Sequence, residues 1–222
     1  MTKHVLFIVT NAAVIGPLNR PTGFFFAEVA HPFDVLDKAG IAIEFASPAG
    51  GWTPFDAYDE KDVAQKEFRE SKAFRRLNRS RSLCEVDAAD YDAILIPGGL
   101  GPMVDIQRNS DVQSAIARAW TTNKIVSAVC HGPCSLLGVD LGDGVPFVRG
   151  KRLTGFSKKE EFDYAKEDVP YELEDALRAE GAIYSSAANW ESHVVVDGRL
   201  ITGQNPNSAG PLAKELLAAI TK

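Results

Sequence analysis

The apolar run at residues 125–129 is the feature that most constrains the fold of this chain. It is short and rich in β-branched residues, and it stops abruptly at Cys130, His131, Gly132 and Pro133. A short continuous apolar run bounded by turn residues is typical of a parallel strand buried on both faces. Pro133 suits the first position of a helix, because its missing N–H would have no partner there. We therefore predict a buried strand, a tight turn and a helix, with Cys130 at the junction.

Similar strand and helix patterns repeat along the chain. Strands are predicted at residues 4–10, 41–46, 91–96 and 125–129, and helices at residues 24–39, 61–77, 111–123, 171–179 and 209–220. Alternating strands and helices predict an α/β fold with a parallel sheet and helices on both faces. Asp197 and Gly198 between two short β-branched runs predict a small β-hairpin. Ligands of such sheets bind outside the carboxyl ends of the strands.

Length and composition indicate one ordinary globular domain over residues 1–222. The chain has 222 residues, of which 45% are hydrophobic, enough to bury a substantial core. Residues 47–83 are a long polar excursion containing a predicted helical segment. Excursions of this length inside a compact domain are usually functional. We therefore interpret residues 47–83 as a cap or a partner surface.

Charge and hydropathy exclude several classes of protein. The net charge is −6 and no basic run is longer than residues 75–81, which argues against nucleic-acid binding. No apolar stretch is long enough to span a membrane, and the first residues lack the pattern of a signal peptide. Three irregularly spaced cysteines do not form a disulfide framework. We therefore expect a cytoplasmic protein that binds neither nucleic acid nor membranes.

Cys130 is the candidate nucleophile. At the end of a strand and the start of a helix, unpaired N–H groups and the helix dipole favour the thiolate, and the adjacent His131 can hold a proton. The sequence therefore predicts a lowered pKa for the Cys130 thiol. The alternative is a buried cysteine that only packs, but His131 and the small residues nearby favour chemistry. No metal site is predicted, because no second cluster supplies further ligands.

Two other positions allow alternative interpretations. Glu28 lies among aromatic residues on the predicted helix 24–39, as either a solvent-facing residue or a buried acid with a raised pKa, and helical periodicity favours the former. Gly98 and Gly99 follow the strand at residues 91–96. Their backbone N–H groups could bind an oxyanion, and a simple tight turn explains them equally well.

Motifs spread over most of the chain resemble the ThiJ/PfpI superfamily, which is related to class I glutamine amidotransferase domains, and in particular its glyoxalase III and heat-shock-chaperone-like branch. They are residues 22–33, 97–99, 128–133, 153–156 and 197–206. The resemblance implies a flavodoxin-like sandwich with an inserted helical segment. Many relatives carry His after the Gly-Gly pair, where this chain has Leu100.

The resemblance also implies roles for individual residues. Cys130 is the expected nucleophile, His131 its acid/base neighbour, and Glu28 an acid touching the thiol, which reverses the solvent-facing interpretation. Glu161 is the expected third member of the triad, with Glu160 as the alternative. The backbone N–H groups of Gly99 and His131 remain able to form an oxyanion site.

The expected activity is a glyoxalase III reaction, in which methylglyoxal or a similar 2-oxoaldehyde is converted to a 2-hydroxy acid without metal, glutathione or other cofactor. Two rivals share the fold: a cysteine amidase or peptidase of PfpI type, and a stress chaperone or redox sensor. Because relatives are commonly dimers, the resemblance further implies a homodimer.

Overall fold

A seven-stranded sheet organises the computed structural model, which describes residues 2–222. Its strand order is β12-β13-β9-β8-β1-β5-β7, and all neighbours are parallel except β12 and β13, the predicted hairpin. The strands are β1 (His4–Ile8), β2 (Val14–Ile15), β3 (Arg20–Pro21), β4 (Phe24–Phe25), β5 (Ala42–Ser47), β6 (Phe55–Asp56), β7 (Arg81–Ser82), β8 (Ala93–Ile96), β9 (Ile125–Val129), β10 (Arg152–Leu153), β11 (Ile183–Tyr184), β12 (Val194–Asp197) and β13 (Leu200–Gly203).

Helices cover both faces of this sheet. They are α1 (Phe26–Lys38), α2 (Val63–Glu70), α3 (Lys72–Leu77), α4 (Pro102–Asp105), α5 (Ser110–Thr121), α6 (Lys158–Tyr164), α7 (Leu173–Ala179) and α8 (Ala209–Thr221). Buried side chains of α1, α3 and α8 pack on one face, and those of α4, α5 and α7 pack on the other. The predicted α/β sandwich is therefore confirmed.

Burial on both faces explains the continuous apolar strands. In β1, Leu6 and Ile8 enter one core cluster, while Val5 and Phe7 enter the other. Successive side chains of a strand point to opposite faces, so every buried position of β1 needs an apolar residue when both faces are covered.

Three predicted boundaries are wrong for local reasons. The helix expected from residue 24 begins at Phe26, because Phe24–Phe25 pairs with Phe55–Asp56 as a strand. The helix expected at residues 61–77 is two helices, since the Ser71 hydroxyl ends the first and caps the second. After Cys130 the chain forms only a 3₁₀ helix, Gly132–Leu136, instead of a full α-helix.

The excursion at residues 47–83 lies against the first helix and the sheet edge. Phe68 and Phe74, from α2 and α3, pack around the buried Phe26 ring with centroid distances of 5.9 and 5.8 Å. Phe55 lies 5.0 Å from the same ring. This aromatic cluster fixes the start of α1, and with it the position of the next turn of the helix.

Over residues 2–222, no helix combines the length and the apolar character that crossing a membrane requires.

Candidate active site

Cys130 lies immediately after β9, at the carboxyl edge of the sheet. Its side chain is buried and its φ is +61°, in the left-handed region that side chains other than glycine rarely adopt. Such a conformation costs of order 1–3 kcal/mol and must be held by its surroundings. The Cys130 N–H donates to the Gly203 carbonyl at 2.9 Å, and its carbonyl accepts from the Phe156 N–H at 2.7 Å. These two bonds lock the backbone that carries the thiol.

The turn after β8 approaches Cys130 so closely that it has no room for a side chain. A Cβ added to Gly98 would lie 2.6 Å from the His131 nitrogen and 2.8 Å from the Cys130 Cβ. Gly99 has φ +88°, and a Cβ there would lie 2.5 Å from the Phe25 nitrogen. Both glycines are therefore required by close backbone contact beside the thiol.

Glu28 lies in the first turn of α1 and is completely buried. The solvent-facing interpretation from helical periodicity is wrong, because Phe26, Ala27, Val29 and Ala30 are buried as well and this end of the helix is enclosed on all sides. The Gly98 N–H donates to Glu28 Oε2 at 2.6 Å. Burial raises the pKa of Glu28 from 4.5 to about 8, against the opposing effects of Cys130 and of the Gly98 amide.

His131 joins the thiol to a second carboxylate. Its Nδ1 lies 3.4 Å from Cys130 Sγ, and its Nε2 lies 2.6 Å from Glu161 Oε2. Since a carboxylate only accepts hydrogen bonds, Nε2 is the donor in this arrangement and Nδ1 is free to accept the thiol proton. The structure thus brings Cys130, His131, Glu28 and Glu161 together. The Glu160 carboxylate instead accepts hydrogen bonds from Ser157, Trp190, Gln204 and Asn205.

The Cys130 thiol does not have the lowered pKa that its position in the sequence predicts. Burial raises the thiol pKa well above its ordinary value, and the neighbouring Glu28 carboxylate raises it further. The Gly99 and His131 amides act in the opposite direction. The expected helix dipole is weak, because only a five-residue 3₁₀ helix follows. Forming the thiolate therefore requires a nearby group that takes the proton.

The three predicted oxyanion donors, the N–H groups of Gly98, Gly99 and His131, differ in what they contact. The Gly98 N–H is already donated to Glu28, so it holds that carboxyl and is not available to a substrate oxygen. The Gly99 and His131 amides are instead near enough to the Cys130 thiol to lower its pKa. Those two amides are the pair whose placement suits an oxyanion.

An aromatic group beside the triad was not predicted from the sequence. The Phe156 and His131 ring centroids lie 4.4 Å apart, and Phe156 also packs against Tyr164 and Trp190 at 5.7 and 5.6 Å. Arg20 lies over Tyr164 and pairs with Asp168 at 2.9 Å. The only sequence signal was Phe156 in the motif at residues 153–156, since the other contacts depend on tertiary structure.

The other two cysteines and Leu100 contribute no reactive group to the site. Cys134 is buried, with Sγ 3.3 Å from the Pro102 carbonyl, and Cys84 is exposed. Leu100 is buried in the core, so this residue adds nothing polar to the site. Within residues 2–222, no cluster of three or more His, Cys, Asp or Glu side chains is arranged to hold a metal ion.

Comparison with known proteins identifies the family of this chain. The model of the DJ-1/PfpI family matches residues 22–219. The chain belongs to the DJ-1/PfpI family. The resemblance inferred from the motifs is therefore confirmed, and its fold is the one observed.

Several known proteins match this chain over most of their length. Glyoxalase 3 of Candida albicans is 31% identical, over 99% of this chain and 98% of that protein. The glutathione-independent glyoxalase HSP31 of Saccharomyces cerevisiae is 30% identical, over 90% of each. The crystal structure of Candida albicans glyoxalase III superposes with a TM-score of 0.86, at 28% identity over 98% of this chain and 97% of that one. The structure of Rapid Encystment Protein 24 KDa from Francisella tularensis gives a TM-score of 0.93, at 34% identity over 99% of both chains.

Proposed function

We propose that this protein is a glutathione-independent glyoxalase that converts methylglyoxal, or a similar small 2-oxoaldehyde, to the 2-hydroxy acid. The observation that carries this proposal is the Glu28 carboxyl, fully buried beside Cys130 with its pKa raised to about 8. A carboxyl with a pKa near neutrality can both take and return a proton during one turnover. The similarity to relatives named glutathione-independent glyoxalase and glyoxalase 3 supports the same activity.

The first step forms a covalent adduct. A basic neighbour, His131 Nδ1 or the Glu28 carboxylate, takes the thiol proton, and the Cys130 sulfur adds to the aldehyde carbon. The C=O π electrons move to the aldehyde oxygen, which the Gly99 and His131 amides stabilise before it is protonated. The product is a hemithioacetal, with the C1 hydrogen still in place.

The second step moves a hydrogen between carbons. The Glu28 carboxylate removes the C1 proton, the electron pair moves to the C2 oxygen, and that oxygen takes the proton of the C1 hydroxyl, relayed by His131 Nδ1. Glu28 then returns its proton to C2, so that C1 becomes the carbonyl of a thioester and C2 carries a hydroxyl group. Oxidation at C1 and reduction at C2 balance, and no external oxidant or reductant is needed.

The third step releases the product. His131 takes a proton from water, and the resulting hydroxide adds to the thioester carbonyl. Collapse of the tetrahedral intermediate breaks the C–S bond and frees the 2-hydroxy acid and the Cys130 sulfur. Glu161 keeps the His131 ring oriented through this step, with Nδ1 toward the sulfur.

Product analysis tests the proposed function. Purified protein incubated with methylglyoxal in the absence of glutathione is expected to form lactate, measured by proton NMR. A Cys130→Ala variant is the control and is expected to form none. Absence of lactate from the wild-type protein, together with hydrolysis of amide substrates, would instead support an amidase. A homodimer in the cytoplasm remains part of the proposal and is tested by light scattering and by fractionation.

A further inference from the structure

Glu160 accepts more hydrogen bonds than its place at the start of a helix requires. Its side chain is completely buried. Oε2 accepts from the Ser157 N–H at 3.0 Å, the Ser157 hydroxyl at 2.7 Å and Gln204 Nε2 at 3.0 Å. Oε1 accepts from the Trp190 N–H and from Asn205 Nδ2, both at 2.8 Å. One carboxyl thus gathers five hydrogen bonds from three separate segments of the chain.

A capping role accounts for only part of this arrangement. In the capping box of α6, the Ser157 hydroxyl accepts from the Glu160 N–H and the Glu160 side chain accepts from the Ser157 N–H. The bonds to Trp190, Gln204 and Asn205 lie outside the box. Every partner can donate and none is a cation, so the surroundings match an acceptor-only carboxylate. A buried carboxylate without such donors would be strongly destabilising.

Two of the three segments are linked to the triad, one by carrying Glu161 and the other by following the residue that bonds the Cys130 backbone. The first begins α6, and Glu161 follows Glu160 directly, with its carboxylate 2.6 Å from His131 Nε2. The second begins just after Gly203, whose carbonyl accepts the Cys130 N–H. Fixing both segments to one carboxylate fixes the distance between Glu161 and the strained Cys130 backbone.

The third segment carries Trp190, whose backbone conformation and ring position need stabilising contacts. Its φ of +63° is in the left-handed region and its side chain is 41% exposed. Neither feature favours the observed position by itself. The bond from its N–H to Glu160 holds the backbone, and the indole ring packs 5.6 Å from Phe156, whose own ring lies 4.4 Å from that of His131. Trp190 therefore supports the Phe156 ring, against which His131 packs.

We propose that Glu160 is a positioning residue that sets the geometry between His131 and Glu161 without touching the reacting atoms. It does so by tying the start of α6, the turn at residues 204–205 and Trp190 to one carboxylate. The kinetic part of this inference rests on the proposed function. The spectroscopic part does not, because the bond between His131 and Glu161 exists without substrate.

Glu160→Gln is the direct test, because the amide keeps the volume but turns one acceptor into a donor that faces other donors. Proton NMR of the wild-type protein should show a far-downfield signal from the 2.6 Å His131–Glu161 bond, assigned by its loss in Glu161→Gln. In Glu160→Gln this signal is expected to shift or to disappear by exchange. For lactate formation, kcat is expected to fall about tenfold or more with a smaller change in KM, as for misplaced catalytic groups.

Glu174→Gln is the matched control. Glu174 Oε2 accepts from the Lys158 N–H at the same end of α6 but does not reach the triad. The control is expected to keep the downfield signal and kcat. A folded Glu160→Gln protein with the wild-type signal and wild-type kcat would overturn the proposal.

Gln204→Met tests the positioning role of Glu160 if Glu160→Gln fails to fold. It removes one donor to Glu160 and the acceptor of the Ala187 N–H but leaves the capping box intact, so we expect a shifted downfield signal and a loss of kcat of about two- to fivefold. An unchanged signal and kcat in this variant would contradict the positioning role. If the wild-type protein forms no lactate, the proposed function fails, and the NMR signal alone still decides the role of Glu160.

Discussion

The Nε2 atom of His131 lies 2.6 Å from Oε2 of Glu161, and both side chains are almost completely buried. In this geometry the imidazole presents Nδ1 to the Cys130 sulfur. The contact thus determines which ring nitrogen can accept the thiol proton.

Glu161→Gln is expected to lower kcat about 10- to 100-fold with little loss of stability. The amide oxygen can still accept from Nε2, but it stabilises the protonated imidazole less than a carboxylate does. Steady-state kinetics and thermal unfolding measure the two effects. A silent Glu161→Gln variant would remove this residue from the mechanism.

The pH dependence of kcat/KM should reflect the ionisation of the Glu28 carboxyl. Its pKa is raised to about 8, and the proton-transfer step uses the carboxylate. kcat/KM is therefore expected to rise with pH by about tenfold per unit below pH 7 and to level off above pH 8. Circular dichroism over the same range controls for unfolding. A flat profile between pH 6 and 9 would exclude a base with this pKa.

The raised pKa of Glu28 should also make the free energy of unfolding depend on pH. Because the pKa of Glu28 in the folded protein lies above its ordinary value of 4.5, its contribution is fully favourable below about pH 4.5 and is lost as pH rises to about 8. Relative to Glu28→Gln, the wild-type protein should lose about 3 kcal/mol of unfolding free energy between pH 4 and pH 7. Urea denaturation at several pH values measures the difference. Glu60→Gln, at an exposed position, should show no such trend.

Gly98→Ala should disrupt the site locally. The added Cβ would lie 2.6 Å from the His131 nitrogen and 2.7 Å from the Val129 carbonyl, so backbone must move. We expect a destabilisation of about 1–3 kcal/mol and loss of activity. Gly210→Ala is the control, because nothing lies within 4 Å of its added Cβ. Wild-type kcat in Gly98→Ala would show that the close contact is not needed.

Local sequence rules predicted the strand that carries Cys130 and the turn beside it. They failed for the thiol pKa, because residue spacing indicates a helix dipole but not the burial that opposes it. They also failed for Glu28, since the exposure of a helix position depends on everything packed around it. Only the resemblance to the family indicated its contact with the thiol.

The choice between Glu160 and Glu161 shows another limit. Both are acidic, adjacent and completely or almost completely buried, so neither hydropathy nor periodicity distinguishes them. Their partners lie at sequence separations of up to 45 residues, apart from the local bonds to Ser157. Only the tertiary structure shows that one faces His131 while the other binds five donors.

The most direct test of the account is methylglyoxal turnover by Glu28→Gln. The amide keeps the shape of the side chain and can accept the Gly98 N–H, but it cannot carry a proton from C1 to C2. We predict that wild-type protein forms lactate without glutathione, and that Glu28→Gln forms almost none while Cys130 still reacts with an alkylating reagent. Lactate formation by Glu28→Gln at the wild-type rate would contradict the proton-transfer role on which the proposed function rests.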